Sequence, residues 1–267
     1  MTNREIILYL SLKFKGDWDE IYKFISDYKN GKVVLDEKEA LNTISKNKSK
    51  YITIFDENYP ECLRQSVKPP FVLYYKGDIT LLDEHKHRLA VVGSRKISEY
   101  GQEVTDKFVP KLSKDFIIVS GLAIGVDSAA HRACINAKGK TIGVLGNGID
   151  FIYLEDKELY EECSKNHLVL SEYPEGTPAK SDYFPVRNRI IVALCNDLLV
   201  VEGKVNSGTQ ISACLMCHKG GNVYCVPTRI NEDSICNKLI SEGAFLVEEP
   251  NDIYDYSDVV LKKPIFE

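Results

Sequence analysis

The sequence is short of several things, and each shortage removes a class of function. No apolar run among its 267 residues approaches the ~20 needed to cross a bilayer. The stretch Ile6 to Leu12 is apolar, but Lys13 and Lys15 follow at once and no small-residue cleavage site does, so it reads as a helix and not a signal peptide. A cytoplasmic location is the expectation, and there the eight cysteines should be free thiols. A basic excess is also missing: the net charge of −5 argues against broad polyanion binding and leaves room only for a local basic patch. No G-x-G-x-x-G turn opens the alternating region and no Walker A sequence occurs, so neither a dinucleotide cofactor nor ATP is expected. Metal ligands are sparse. His85-Lys-His87 lacks further donors and reads as surface. Cys214-Leu-Met-Cys217-His218 matches the c-type haem attachment spacing, but that chemistry normally needs export. Ile211, Leu215 and His218 recur there at helical spacing, so the segment is read as thiols on a helix, with no metal and no cofactor.

What is present is ordinary for a globular protein: 44% apolar and 27% charged residues, in a chain long enough for one large α/β domain with a small appendage. Residues 2 to about 48 show three short helical patterns. Asp17 stands where an N-cap would open the second, Asn30-Gly31 closes it, and Asp36 opens the third. So small a bundle must lean on the rest of the chain. Between Tyr51 and Leu82, Tyr51–Phe55 and Phe71–Tyr75 are β-branched and aromatic runs separated by prolines, and these are expected to be short strands or extended segments.

From Arg88 six short apolar runs alternate with helix-length segments: Leu89–Val92, Phe116–Val119, Thr141–Leu145, Leu168–Leu170, Leu198–Val201 and Asn222–Val226. Continuous apolar strands separated by helices predict a doubly wound parallel sheet buried on both faces. Pro110 should end or kink the first helix of that region. In such sheets ligands bind beyond the carboxyl ends of the strands. Those ends read Gly93-Ser94-Arg95-Lys96, Ser120-Gly121-Leu122-Ala123-Ile124-Gly125, Gly146-Asn147-Gly148, Glu172-Tyr173-Pro174, and Glu202-Gly203 leading to Ser207-Gly208-Thr209. Glycine lets a ligand approach the backbone, and a helix start behind it favours an anion. Tight βα turns need the same residues for structure alone. Four such clusters on one edge, with Arg95 among them, favour a ligand site. Ser207 to Gln210 also fits a capping box.

Phe184-Pro-Val-Arg187-Asn188-Arg189 opens a helix with two of the chain's eight arginines beside an aromatic residue. Guanidinium groups bind phosphate bidentately and an aromatic face stacks a base. An Arg–Glu pair with Glu172 or Glu202 is the structural alternative. Asp127 and His131, four apart, form a conceivable acid–base pair, but Asp127 is more simply an N-cap. Glu202 near Ser207 has no nucleophile or metal cluster with it.

Taken in order, Gly93-Ser-Arg95, Ser120 to Asp127 with Ala130-His131, Ser171-Glu-Tyr-Pro174, Phe184 to Arg189 and Glu202 to Ala213 resemble the motif set of the DprA/Smf family. Tyr59-Pro60, Pro69-Pro70, Tyr74 to Asp78, Asn237 to Ile240 and Gly243-Ala244 extend the likeness over about Tyr51 to Val247. The resemblance implies an extended Rossmann-like fold, a homodimer, single-stranded DNA in a basic pocket, and delivery of the RecA recombinase onto DNA in natural transformation. It implies DNA contacts at Arg95, Phe184, Arg187 and Arg189, and a phosphate path cradled by Gly121, Gly125 and Gly208. It does not imply an enzyme. The organisation expected is a helical domain over 1–50 and a DNA-binding domain over 51–250, with an extension (51–88) and a core (89–250). A tail over 251–267 follows, without the winged-helix domain of many members. Three departures stand out. The N-terminal helices lack the family's glycine hairpin, no winged helix is expected after residue 250, and Val226-Pro-Thr228 replaces Val-Pro-Gly. The competing reading is a nucleotide sensor, or a nucleoside-monophosphate hydrolase of related fold. That group carries Pro-Gly-Gly-x-Gly-Thr and a following glutamate where this chain has Ser207-Gly-Thr.

Overall fold

The computed structural model describes residues 1–152 and 156–257. Among them runs a mixed, mostly parallel sheet of nine strands in the order β1-β2-β6-β5-β4-β3-β7-β8-β9, with helices between the strands. The strands are β1 (Lys50–Thr53), β2 (Val72–Gly77), β3 (Arg88–Val92), β4 (Ile117–Ser120), β5 (Thr141–Leu145), β6 (Leu168–Ser171), β7 (Asp197–Val200), β8 (Asn222–Cys225) and β9 (Phe245–Leu246). The helices are α1 (Asn3–Lys13), α2 (Trp18–Lys29), α3 (Glu37–Ser45), α4 (Glu61–Arg64), α5 (Glu99–Leu112), α6 (Val126–Asn136), α7 (Lys157–Asn166), α8 (Tyr183–Ala193), α9 (Gly208–Lys219), α10 (Ile235–Ser241) and α11 (Pro250–Tyr254). The doubly wound α/β class follows from this order, with strand order reversing between β3 and β7. All six apolar runs became strands. β9, α4, α10 and α11 were not foreseen, being too short for periodicity to separate from turns.

The chain divides into two compact units: residues 1–83 with 144–190, and residues 84–143 with 191–267. In the first, the three amino-terminal helices form as the sequence indicates. Asp17 accepts from the Glu20 amide at 3.1 Å, and Asp36 accepts from the Lys38 and Glu39 amides at 3.0 Å. Burial then fixes which face turns inward. Ile7, Leu8, Tyr9 and Leu10 of α1 are all buried, and Ser11 Oγ lies 3.0 Å from the hydroxyl of Tyr74 on β2. The aromatic stack is the second tie. The Trp18 ring sits between Tyr22 and Phe71, at centroid distances of 5.0 and 5.2 Å, while its Nε1 donates to the Pro69 carbonyl at 2.8 Å. The helices thus lean on the extension, as their small size requires. β1 pairs antiparallel with β2, and β2 with β6 through Tyr74↔Ser171 to Gly77↔Leu168. The first two strands therefore extend a parallel core with an antiparallel edge.

In the second unit β4, β3, β7, β8 and β9 run parallel to their neighbours, in register from Arg88↔Ile117 and Leu89↔Asp197 onward. One apolar core joins Leu89, Val91 and Ile118 to Phe108 and Leu112 of α5, Ala130 of α6, and Leu199 and Tyr224. Polar side chains inside it are bonded. Thr141 Oγ1 donates to the Ile118 carbonyl and meets His131 Nδ1, both at 2.7 Å, and Asp197 accepts from the Tyr224 hydroxyl at 2.9 Å. α5 runs through Pro110 and stops two residues later, so the proline marks its last turn. Two cap expectations are corrected. α6 opens at Gly125, with Asp127 inside its first turn, because the positive φ of Gly125 (91°) turns the chain into the helix two residues earlier. Ser207 is the N-cap residue of α9 but makes no side-chain cap bond. Its hydroxyl donates to the Lys204 carbonyl at 2.6 Å, and Gln210 Oε1 accepts from the Asn206 amide at 2.6 Å.

The stack around Trp18, the chain's one tryptophan, makes its fluorescence a reporter of the first unit. Trp18→Ala should cost about 2–3 kcal/mol, below the ~3–5 kcal/mol of a wholly buried tryptophan, since Trp18 is half-buried. Urea unfolding followed by circular dichroism measures this, and a loss under 0.5 kcal/mol would show that the stack does not anchor the helices.

Candidate functional site

The glycine-rich strand ends fall into two groups, one in each unit. In the second unit three meet around the reversal of strand order. After β3, Ser94 Oγ accepts from the Lys96 amide at 3.0 Å and donates back to the Lys96 carbonyl at 2.8 Å. This closes a tight turn that leaves Arg95 and Lys96 exposed. The turn after β4 is clamped to it: the Val126 amide donates to the Ser94 carbonyl at 3.0 Å. Gly125 is required there twice over, by its φ of 91° and because a Cβ would lie 2.2 Å from the Ser94 oxygen. In the same turn Leu122 holds a left-handed φ of 49° and is buried, its side chain lying over Gly143. A bulky residue in that region costs energy that the packing offsets, a pattern concentrated at ligand-binding turns. After β7 the chain runs through Glu202, Lys204 and Asn206 to the start of α9.

Three helices, α5, α6 and α9, therefore begin at the carboxyl ends of β3, β4 and β7. The first of these N-termini is occupied by the protein's own anion. Glu202 accepts from the Ser98 amide at 2.9 Å and from its hydroxyl at 2.5 Å, while Ser98 Oγ accepts from the Gly101 amide at 2.9 Å. The carboxylate fits because residue 101 is glycine; a Cβ would stand 2.7 Å from Glu202 Cδ. Glu202 is thus engaged in opening α5. The N-termini of α6 and α9 carry no side-chain cap bond. Their amides and dipole ends favour an anion, with Arg95, Lys96 and Lys204 exposed on the turns of the same unit.

In the first unit the turn Gly146-Asn147-Gly148 follows β5. Ser171 Oγ donates to the Asn147 carbonyl at 2.6 Å, the Gly148 amide donates to the Thr177 carbonyl at 2.8 Å, and the Phe184 ring lies against Gly146. The Asn147 side chain is buried, with no hydrogen-bond partner for Nδ2 among the described residues. The two arginines of α8 are not alike. Arg187 is only 4% exposed, donates from Nη1 to the Val144 carbonyl, and donates from Nε to Asn188 Oδ1 at 3.2 Å. Arg189 donates from Nη2 to both oxygens of Glu172 at 2.6 and 2.8 Å, and from Nε to the Lys68 carbonyl at 3.1 Å. The pair is deeply covered, at 11% and 5% side-chain exposure, so the Arg–Glu alternative describes Arg189 with Glu172 as partner. Burial pushes the Glu172 carboxyl above its ordinary value, and Arg189 opposes the shift.

Sequence reasoning passed over Tyr183 and Lys180, and gave Tyr173 no role beyond its place in the turn after β6. Tyr173 and Tyr183 stack at 4.2 Å and 15°, and Lys180 Nζ stands 5.1 Å over the Tyr183 ring. The cue was an aromatic residue directly before Phe184. Its weight was invisible because its partner is ten residues earlier in the chain.

Fold and turns together define an α/β protein of doubly wound topology whose anion-favouring turns gather at a strand-order reversal. The profile of the DNA recombination-mediator protein A family matches residues 50–258, and the chain belongs to that family, the DprA/Smf proteins. It is 36% identical over 263 residues to the DNA processing protein DprA of Streptococcus pneumoniae, covering 95% of this chain and 93% of that protein. With the DprA of Bacillus subtilis it shares 38% over 208 residues, covering 76% and 70%. The X-ray structure of the pneumococcal protein superposes with a TM-score of 0.82 at 32% identity, covering 97% of this chain and 99% of that one. A Helicobacter pylori DprA structure, described for its single-stranded DNA binding mode, superposes with a TM-score of 0.71 at 29% identity, covering 78% and 95%.

The buried pair generates a direct expectation. Arg189→Ala leaves the Glu172 charge in place without its partner and should destabilise the fold by about 3–5 kcal/mol. Arg189→Ala combined with Glu172→Gln should recover much of that loss, and denaturant unfolding of the three variants measures it. Stability unchanged in Arg189→Ala would show that the pair does not hold α8 to the turn after β6.

Proposed function

We propose that this chain binds single-stranded DNA, the backbone running over the turns at the carboxyl ends of its strands. The observation that carries the reading is the pair of helix starts, α6 and α9, without side-chain caps beside exposed Arg95 and Lys96. The single-stranded DNA binding of the H. pylori relative supports it. The proposed contacts are Gly93, Ser94, Arg95, Lys96, Ser120, Gly121, Leu122, Ala123 and Gly125 with Ser207, Gly208 and Thr209 in the second unit. In the first unit they are Gly146, Asn147, Gly148, Phe184, Arg187, Asn188 and Arg189. Arg95 and Lys96 are the ones that give direct phosphate contact. Arg187 and Arg189 act chiefly by holding the Phe184 turn, since both are engaged within the protein. In this reading the protein works in the cytoplasm, protects incoming single strands during DNA processing and natural transformation, and loads RecA onto them. It is not an enzyme: Glu202, the residue a hydrolase reading would need, serves as an acceptor at the start of α5.

Single strands should be bound in preference to duplex, because an aromatic ring such as that of Phe184 stacks on bases that are unpaired and splayed out. Arg95→Ala and Lys96→Ala should each weaken binding across all sequences. Each should also reduce the slope of log affinity against log salt by about 0.7, the counterion release of one single-strand phosphate. Fluorescence anisotropy over a salt series, with a mononucleotide competitor, measures both. Equal affinity for duplex would overturn the reading, and displacement of DNA by stoichiometric mononucleotide would favour the nucleotide-sensor alternative.

We also propose a two-fold homodimer through the segment Val201 to Val247. Met216, Val223 and Cys225 are buried within the protomer and cannot serve such a face, whereas Ile211 is 41% exposed and Leu246, on the edge strand β9, is 47% exposed. Two DNA sites on one dimer would let a single oligonucleotide bind both, so affinity should step upward once its length bridges them. Sedimentation at micromolar concentration and an oligonucleotide length series test this. A monomer with a smooth length dependence would remove the dimer.

A further inference from the structure

Among the amino-terminal helices of the first unit, a cavity of about 300 Å³ opens between α1, α2 and the segment that follows α2. Ile6, Ile7 and Leu10 of α1 line one side, and Phe24 and Ile25 of α2 line another. Ile7 and Leu10 are buried, and the Phe24 ring meets that of Phe14 at a centroid distance of 5.8 Å. The strongly polar lining groups come from the ends remote from the joining turn: Asn3 is the first residue of α1 and Lys29 the last of α2. Neither side chain makes a hydrogen bond or ion pair to another described residue. Tyr28 and Phe55, which also line the cavity, are 44% and 56% exposed, an apolar area that nothing among the described residues covers.

We infer that this cavity binds a medium-chain alkyl carboxylate, its chain against the α1 and α2 side chains and its head group at Lys29 and Asn3. Size selects a small molecule, since small-molecule sites begin at roughly 300 Å³ and are mostly apolar with a few polar groups that fix orientation. Charge selects the head. None of the described lining residues is acidic, and Lys29 is the cation among them, so the complement is an apolar body with one negative charge. The carboxylates nearby in the chain are engaged elsewhere. Glu5 accepts from the Thr2 amide at 2.7 Å, Asp27 faces Lys32 at 3.7 Å, and Asp56 accepts from Arg4 and from the Thr53 amide, both at 2.8 Å. A phosphate would need more donors, and the Thr2–Glu5 capping box already serves the start of α1. One ammonium with one side-chain amide suits a carboxylate, while Asn3 and Lys29 are exposed and leave the head in reach of water. This inference does not rest on the DNA reading.

The test is calorimetric titration of the full chain at neutral pH with decanoate, decanol and decylammonium, each kept below its micellar range. Decanoate should bind saturably, decanol roughly threefold to fivefold more weakly for want of the ion pair, and decylammonium more weakly still. Octanoate should bind about fifteenfold more weakly than decanoate, at about fourfold for each buried methylene. Lys29→Met, a change at an exposed position, should erase the preference for decanoate over decanol and leave decanol binding unchanged. Ile25→Trp should fill the cavity and abolish binding of all three. No saturable binding to the wild type, equal affinity for decanoate and decylammonium, or an intact preference in Lys29→Met overturns the site. Should Ile25→Trp not fold, a photoreactive alkyl carboxylate decides on the wild type: labelled peptides from residues 3–10 and 24–35 support the site, and labelling confined elsewhere overturns it.

Discussion

Strands β3 and β7 lie side by side and parallel, but the chain leaves them in opposite directions along the sheet. Helices that follow neighbouring strands normally block the space beyond the strand ends. Where the order reverses they part, and a crevice opens that the backbone must line. The residues of that lining are constrained to be small or to be bonded locally. Ser94 closes its own turn, Gly125 passes within van der Waals contact of the Ser94 carbonyl, and Gly101 makes room for Glu202. Because Glu202 comes from the end of β7 and Ser98 from the start of α5, their hydrogen bonds fasten the two sides of the reversal to each other. The same carboxylate neutralises the N-terminus of α5, so the anion-favouring character is left to α6 and α9.

The first unit is organised by a different constraint, the satisfaction of buried charge. Glu172 begins the turn after β6 inside the protein, where a carboxylate is tolerable only beside a counter-charge. Arg189 supplies it and spends its remaining donors on the Lys68 and Val186 carbonyls, fixing the first turns of α8. Arg187 does the equivalent with the Val144 carbonyl at the end of β5. The arginines of the Phe184 motif therefore set where the aromatic side chains stand. The exposed cations of the second unit's glycine turns are others, Arg95 and Lys96 on the turn after β3. A motif that reads as a row of DNA contacts divides, in space, into two arginines bonded within the protein and the aromatic side chain beside them.

That division accounts for how much of the site was legible in the chain. Strand runs Leu89–Val92 and Leu198–Val201 announce themselves because a buried parallel strand is apolar at every position, and each ends in a glycine-rich turn that composition alone marks out. The Asp17 and Asp36 caps are equally local, needing only a side chain and an amide two or three residues away. What fails is whatever depends on a distant partner. Ser207 and Gln210 carry a capping-box pattern, yet the hydroxyl turns to Lys204 and the amide to Asn206, because the loop doubles back through a left-handed Asn206 (φ 59°). The Tyr173–Tyr183 stack went unread for the same reason, its two rings lying ten residues apart in the chain.

By itself, then, the sequence determined the α/β class, the positions of the core strands and the membership of the DprA/Smf family, since each is written in local periodicity or in the order of short motifs. Tertiary structure alone decided that Arg189 faces a buried carboxylate while Arg95 stands exposed, and that Glu202 caps a helix one hundred residues away along the chain. Residue type says that a guanidinium can bind phosphate or a carboxylate. Burial decides whether the protein must supply the partner, because a charge taken out of water must be paired, whereas one at the surface is solvated.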